Sequence, residues 1–121
     1  MDKRLEPIVK DIQEKFSATF DEFRDEVHVM VAPEQIVDVL TLLRDEHKFE
    51  LLSALTASDY FPQVAPRFHV IYQLSSLEKN ITLQIRVPVN GSSPKVPTVT
   101  RVYKVANWRE RELFDMFGIE C

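Results

Sequence analysis

Apolar spacing switches between helix and strand periods along this chain, and that alternation restricts it to a fold that mixes both. Leu5, Ile8, Val9, Ile12 and Phe16 fall on one stripe of an amphipathic helix, with Pro7 tolerated in its first turn. Ser17-Ala18-Thr19 loosens that pattern. From Val27 the period becomes two: Val27, Val29 and Val31 alternate with His28 and Met30, as in a half-buried strand. Pro33 opens a second helix whose apolar face runs Ile36, Val37, Leu40, Leu43. Phe49 to Phe61 reads as a long strand, followed by a loop bracketed by Pro62 and Pro66. Phe68, Val70, Tyr72 and Leu74 then alternate with more polar positions, as do Ile81, Leu83, Ile85 and Val87. Ser76-Leu77-Glu78-Lys79-Asn80 suits a hairpin connection between them. Asn90-Gly91-Ser92-Ser93-Pro94 is a turn, Pro94 and Pro97 hold an extended stretch, and Thr98 to Tyr103 is a short helix candidate.

This order predicts an α+β fold: a mostly antiparallel sheet of about four strands, helices packed on one face, and a short C-terminal helix. The strand-helix-strand unit is expected to cross over right-handed. With no repeats and no linker, residues 1–121 form a single expected domain.

Composition narrows the function classes. A net charge of −4 argues against a nucleic-acid binder, which needs a dense cluster of Lys and Arg. No secretory signal opens the sequence, and no uncharged apolar run approaches the roughly 20 residues that span a bilayer. The single cysteine, Cys121, cannot close a disulfide within the chain or hold an iron–sulfur cluster. With only Gly91 and Gly118, neither a Walker loop nor a dinucleotide fingerprint can form. No prosthetic group is expected to be bound by this chain.

The most informative segment is Trp108-Arg109-Glu110-Arg111-Glu112-Leu113-Phe114-Asp115-Met116-Phe117-Gly118-Ile119. Asn107 suits an N-cap, with Glu110 answering three residues later as a capping box. Gly118 suits the left-handed residue after the last turn, with Ile119 packing back on Phe114 in a Schellman-type end. The helix is thus predicted over Trp108 to Phe117. Arg111 and Asp115 are neighbours on it, as are Trp108 and Glu112. Charge pairs on helices are commonplace, so spacing alone favours a solvated face. Large apolar side chains on more than one side of so short a helix instead favour a subunit contact, where Trp, Arg and Phe are enriched.

Ala106 through Ile119 resembles the signature of the 30 kDa subunit family of respiratory complex I (proton-pumping NADH:quinone oxidoreductase): Glu-Arg-Glu, two residues, an acid, two apolar residues and Gly-Ile, after Ala-x-Trp. Phe49 to Leu52 through Ala57-Ser58-Asp59-Tyr60, then Arg67 to Leu74, and Val96 to Tyr103 are similar to earlier parts of that family. The likeness covers roughly residues 24 to 121. Related membrane-bound hydrogenases use homologous subunits. The resemblance implies a non-catalytic assembly subunit of the hydrophilic arm, docked on the large hydrogenase-like subunit that helps form the quinone site. It implies other hydrophilic-arm subunits as neighbours, no nucleic acid, and membrane contact only through partners. NADH, quinone, FMN and iron–sulfur clusters are then expected in the parent complex, on the cytoplasmic side of the inner membrane. Trp108, Glu110, Arg111, Glu112, Asp115, Met116, Phe117 and Gly118 are the expected interface residues. The family continues after Gly-Ile into a Phe-x-Gly-His-Pro segment and a basic tail, which this sequence, ending at Glu120-Cys121, is expected to lack.

Other chemistry is thinly represented. His28, His47 and His69 are too widely spaced for a metal motif and read as structural or surface residues. Asp59-Tyr60 reads as a strand terminator. A small hydrolase or transferase using Asp59, His69 or Cys121 is the rival from another class. A regulatory domain that binds a peptide along a sheet edge is the third.

Overall fold

Each apolar stripe of the sequence finds a partner layer in the computed structural model, which describes residues 3–16, 18–23, 26–59, 67–92 and 94–121. Tyr60, Phe61 and the loop 62–66 lie outside them, as do Ser17 and Ser93. The elements are α1 (Glu6–Phe16), β1 (Thr19–Phe23), β2 (Glu26–Met30), a 3₁₀ turn (Pro33–Gln35), α2 (Ile36–Glu46), β3 (Leu51–Asp59), β4 (Phe68–Ser76), β5 (Ile81–Val89) and α3 (Ala106–Phe117). The strands form one sheet in the order β1-β2-β5-β4-β3. β2 and β5 are parallel; the other neighbours are antiparallel.

The α+β architecture is as expected, with five strands in place of about four. The strand not foreseen is β1. It is an edge strand with Asp21 and Glu22 at its centre and Phe20 partly exposed, so burial leaves no alternating signature in its sequence. Pairing with β2 makes it a strand. A second difference lies at Thr98 to Tyr103, which form turns rather than a helix. There the Val102 and Tyr103 amides share the Val99 carbonyl, both at 3.0 Å.

Register separates the two faces of the sheet. Val29, Ile85, Tyr72 and Leu55 align across β2, β5, β4 and β3, and all are buried. With Leu52, Leu74, Leu83 and Val87 they form a floor for Ile8, Val9 and Ile12 of α1 and for α2, in one continuous core. Removing this apolar area from water, at about 25 cal/mol per Å², is the main driving force. On α2 the buried stripe is Ile36, Val39, Leu40 and Leu43, with Val37 only partly covered. Val39 replaces Val37 because positions 36, 39, 40 and 43 fall at i, i+3, i+4 and i+7 on one helix face, whereas 37 lies off it. The opposite sheet face carries His28, Gln84 and Gln73 in one row and Met30, Arg86, Ile71 and Thr56 in the next, all outside the core cluster. One covered face and one polar face is usual for a largely antiparallel sheet. The hairpin joining β4 to β5 turns through 77–80, with Asn80 in the left-handed region at φ 53°. No described helix is long and apolar enough to cross a membrane.

Polar contacts lock the two N-terminal helices at the rim. Asp11 Oδ2 lies 2.8 Å from His47 Nε2, and Lys15 Nζ lies 3.4 Å from both Asp11 and Glu46. The His47 hydrogen bond, with the Lys15 charge behind it, holds the Asp11 carboxyl below its ordinary value of 3.8. A depressed carboxyl contributes stability that is present above the unfolded value and is lost as pH falls through the folded one. In urea unfolding, wild type should therefore exceed Asp11→Asn above pH 3.8, and the difference should vanish on further acidification. A gap that persists in strong acid would assign the effect to packing instead.

Candidate functional site

The terminal helix is delivered by a stretch with few regular bonds of its own. Pro94 and Pro97 keep that stretch extended, and it pairs with the residues that follow α3. The Val96 amide donates to the Glu120 carbonyl at 2.9 Å, and the Glu120 amide to Pro94 at 2.8 Å. Tyr103 is buried and its hydroxyl donates to the Phe49 carbonyl, tying this stretch to the connection between α2 and β3. Burial pushes that hydroxyl's pKa up, so it stays a donor across ordinary pH.

α3 begins two residues earlier than expected and without the expected cap. The Ala106 and Asn107 amides donate to the Tyr103 and Lys104 carbonyls at 3.0 and 3.2 Å. This tight lead-in satisfies orphan donors that an Asn107 side chain would otherwise serve. Residue Val105 occupies the cap position, with no side-chain bond. Glu110 is therefore released from the capping box. It sits with Ala106 and Leu113 on the buried stripe of the helix, only 8% exposed. Its carboxylate accepts from the Thr98 hydroxyl at 2.6 Å and from the Val99 amide at 3.0 Å. Charge-assisted bonds of this kind are roughly twice as strong as neutral ones.

The helix end is as expected in type and different in detail. Gly118 stands at φ 72°, and its amide donates to the Phe114 carbonyl at 2.8 Å. That single bond defines the simpler left-handed cap rather than the Schellman form. Ile119 is fully buried, whereas Phe114 is 54% exposed. Phe117 turns inward and meets Phe68 edge-on, with ring centroids 6.1 Å apart.

Of the expected interface residues, then, Glu110 and Phe117 face the domain and Gly118 ends the helix. Trp108, Arg111, Glu112, Asp115 and Met116 face outward, joined by Phe114, which is expected from the sequence to receive Ile119. Trp108 is 65% and Met116 73% exposed. The Trp108 indole donates to Glu112 at 2.8 Å, the neighbour relation expected from their spacing. Arg111 and Asp115 form no ion pair with each other or with any other described residue. Trp108, Arg111, Glu112, Phe114 and Asp115 line a concave groove of about 810 Å³, whose far wall is Thr98, Thr100, Glu120 and Cys121.

The residues of the rival chemistry are kept apart. Asp59 pairs in register with Phe68 and so shares the core side of the sheet, whereas His69 projects from the other side. Asp59 also receives a two-pronged bond from Arg67, at 2.9 and 3.0 Å. The Arg67 guanidinium lies 4.9 Å from the Phe68 ring centre. Gly91 makes room for it, since an added Cβ would come within 2.9 Å of the Arg67 side chain. Asp59 thus braces the strand end at Phe68, whose ring Phe117 of α3 meets. His69 is pushed toward its neutral form by burial, then by Arg86. The Cys121 thiol is raised to about 12 by desolvation and by Glu110, which disfavours the nucleophilic thiolate. Among the described residues no cluster of His, Cys, Asp and Glu could hold a metal ion.

Comparison with known proteins decides the lineage. Residues 29–121 match the family of the respiratory-chain NADH dehydrogenase 30 Kd subunit. The chain belongs to that family. The match contains β3, β4, β5 and α3 whole, and leaves α1 and β1 outside. An NADH-quinone oxidoreductase subunit of Trichlorobacter lovleyi is 42% identical over 114 residues, covering 92% of this chain and 70% of the relative. The corresponding subunit of Geobacter sulfurreducens is 37% identical, covering 90% and 69%. That of Salinispora tropica is 39% identical over 79% of this chain, which spans only 40% of the longer relative. Among solved structures, a trypsin-resistant fragment of Nqo5 superposes with a TM-score of 0.85 at 28% identity, covering 97% of this chain and 94% of the fragment. A chain of the membrane-bound sulfane sulfur reductase, an archaeal respiratory membrane complex, shares the fold with a TM-score of 0.77 at 23% identity. The resemblance read from the terminal signature is thus confirmed for the 30 kDa subunit family.

Two substitutions separate the roles of Glu110 and Gly118. Glu110→Ala strands the buried Val99 amide and should lower unfolding stability by about 2–3 kcal/mol. Gly118→Ala meets no atom within 4 Å, so only its left-handed backbone resists, and about 1 kcal/mol is expected. Chemical denaturation measures both, and a Glu110→Ala loss no larger than that of Gly118→Ala would show that the carboxylate does not anchor the helix.

Proposed function

We propose that this chain is a non-catalytic structural and assembly subunit of the hydrophilic arm of a complex I-like NADH:quinone oxidoreductase. In this reading it docks on the large, hydrogenase-like subunit that helps form the quinone site, with other hydrophilic-arm subunits nearby. The observation that carries it is the outward face of α3, where Trp108, Phe114 and Met116 stay exposed on a helix whose opposite side is anchored in the core. Exposed large aromatics grouped on one element are the type of side chain that dominates subunit contacts. The relatives carry the name of a subunit of NADH-quinone oxidoreductase, which supports placing this chain in such an assembly.

The role is mechanical. NADH, quinone, FMN and iron–sulfur clusters belong to other subunits of the proposed parent, and this chain contributes shape and charge. It lies on the cytoplasmic side of the inner membrane, held there through its partners. Trp108, Arg111, Glu112, Asp115 and Met116, with Phe114, are the proposed contact residues. Glu110, Phe117 and Gly118 serve that contact by orienting the helix.

Trp108→Ala combined with Phe114→Ala tests this reading. Both side chains are exposed, so the isolated domain should keep its unfolding midpoint within the small range of surface substitutions. Co-purification with the co-expressed large subunit should fall by roughly 30-fold or more, the effect of losing a contact hot spot. Unchanged co-purification, or an equal loss of fold, would overturn the assignment.

A further inference from the structure

The groove beside α3 has a charge pattern that selects among possible occupants. Trp108 and Phe114 supply apolar walls, and Glu112 holds the Trp108 ring by its indole nitrogen, so that wall is set before anything binds. Glu110, Glu112, Asp115 and Glu120 also line it, against Arg111 alone. Lys95 lies 3.8 Å from Glu120 and offsets that one acid. Glu110 is held only by neutral donors, the Thr98 hydroxyl and the Val99 amide. No cation of this chain answers Glu110 or Asp115 among the described residues.

We infer that the groove receives a basic segment of the partner subunit, with an Arg or Lys head over the Glu112–Asp115 rim and its stem or an adjacent apolar residue against Trp108 and Phe114. This rests on the docking role proposed above and specifies the chemistry of what docks. The physical case has three parts. Complementary potentials steer and register a contact. A guanidinium gains further from the face of an indole. Long cationic side chains lay their methylene stems along apolar walls while the charge stays at the polar rim. A second copy of this chain is a poor occupant, because its net charge is −4 and its own α3 would bring the same acids to the same place.

Trp108 is the only tryptophan and lines the groove, so its fluorescence reports occupancy directly. The probe is a blocked hexapeptide of alternating Arg and Leu, titrated into the intact chain at low ionic strength, beside a control with Glu in place of Arg. A saturable change with the Arg peptide, absent with the Glu peptide and suppressed by salt, is expected. Glu112→Gln with Asp115→Asn should weaken the Arg peptide roughly tenfold. Both positions are exposed, and Gln at 112 still offers an oxygen to the Trp108 indole, so the fold is retained. Equal affinity for both peptides, no saturable change, indifference to the double substitution, or a dimer that buries Trp108 would each overturn the inference. Co-expression with the large subunit separates the two proposals. Wild type that binds the large subunit no better than the double variant removes the basic occupant and leaves docking intact. Wild type that does not bind it at all removes docking itself.

Discussion

A single buried carboxylate governs which way the terminal helix faces. Glu110 grips the Thr98 hydroxyl and the Val99 amide, so the side of α3 that carries Ala106 and Leu113 must turn inward. A helix has one rotational setting in which that grip and the burial of Leu113 are both met. In that setting Trp108, Phe114 and Met116 have nowhere to go but outward. The exposed apolar face follows from an internal polar bond, and a carboxylate without partners at that depth would be strongly unfavourable. Glu120 then closes the arrangement by pairing back with Pro94 and Val96, and Ile119 is buried beside it, so the end of α3 is pinned to the same stretch that Glu110 grips.

The sheet supplies the platform for this grip. Its covered face carries Val29, Ile85, Tyr72 and Leu55 in register. Phe68 at the start of β4 meets Phe117 at the end of α3, while Asp59 and Arg67 brace the strand ends beside it. Residues that would look catalytic in another setting are thereby used for construction. Asp59 is committed to Arg67, His69 is turned to the far face, and the Cys121 thiol is kept protonated by its surroundings. The domain's distinctive chemistry is at its surface, where an aromatic wall and a row of acids share one groove. That composition suits a 30 kDa subunit family member whose proposed work is to hold a neighbour in register.

Legibility in the sequence tracks the strength of local burial signals. The stripes of α1, β4 and β5 are readable because each residue's neighbours along the chain are also its neighbours on one face. β1 is not readable, since an edge strand with half-exposed Phe20 and central acids shows no alternation until β2 is beside it. The stretch Thr98 to Tyr103 is rich in β-branched residues, which disfavour the expected helix, and Glu110, eleven positions from Val99, takes the Val99 amide there. For the same reason the capping box expected at Asn107 does not form: its acid is already engaged elsewhere. An aromatic between Leu113 and Phe117 invites a core assignment for Phe114, but rotation about the helix axis, not composition, decides which aromatic is covered.

What the amino-acid order determined alone was the α+β class with the stripes of α1, β4 and β5, the left-handed stop at Gly118, the absence of nucleotide-binding glycine loops, and the signature that places the chain in its family. These depend on local geometry and residue type, which travel with the sequence. What only the tertiary structure decided was the fate of each charged or aromatic side chain in that signature. Glu110 became an internal anchor, Phe117 a core contact, and Trp108 and Phe114 an open wall. That division is settled by bonds between residues far apart in the chain, and local spacing carries no record of them.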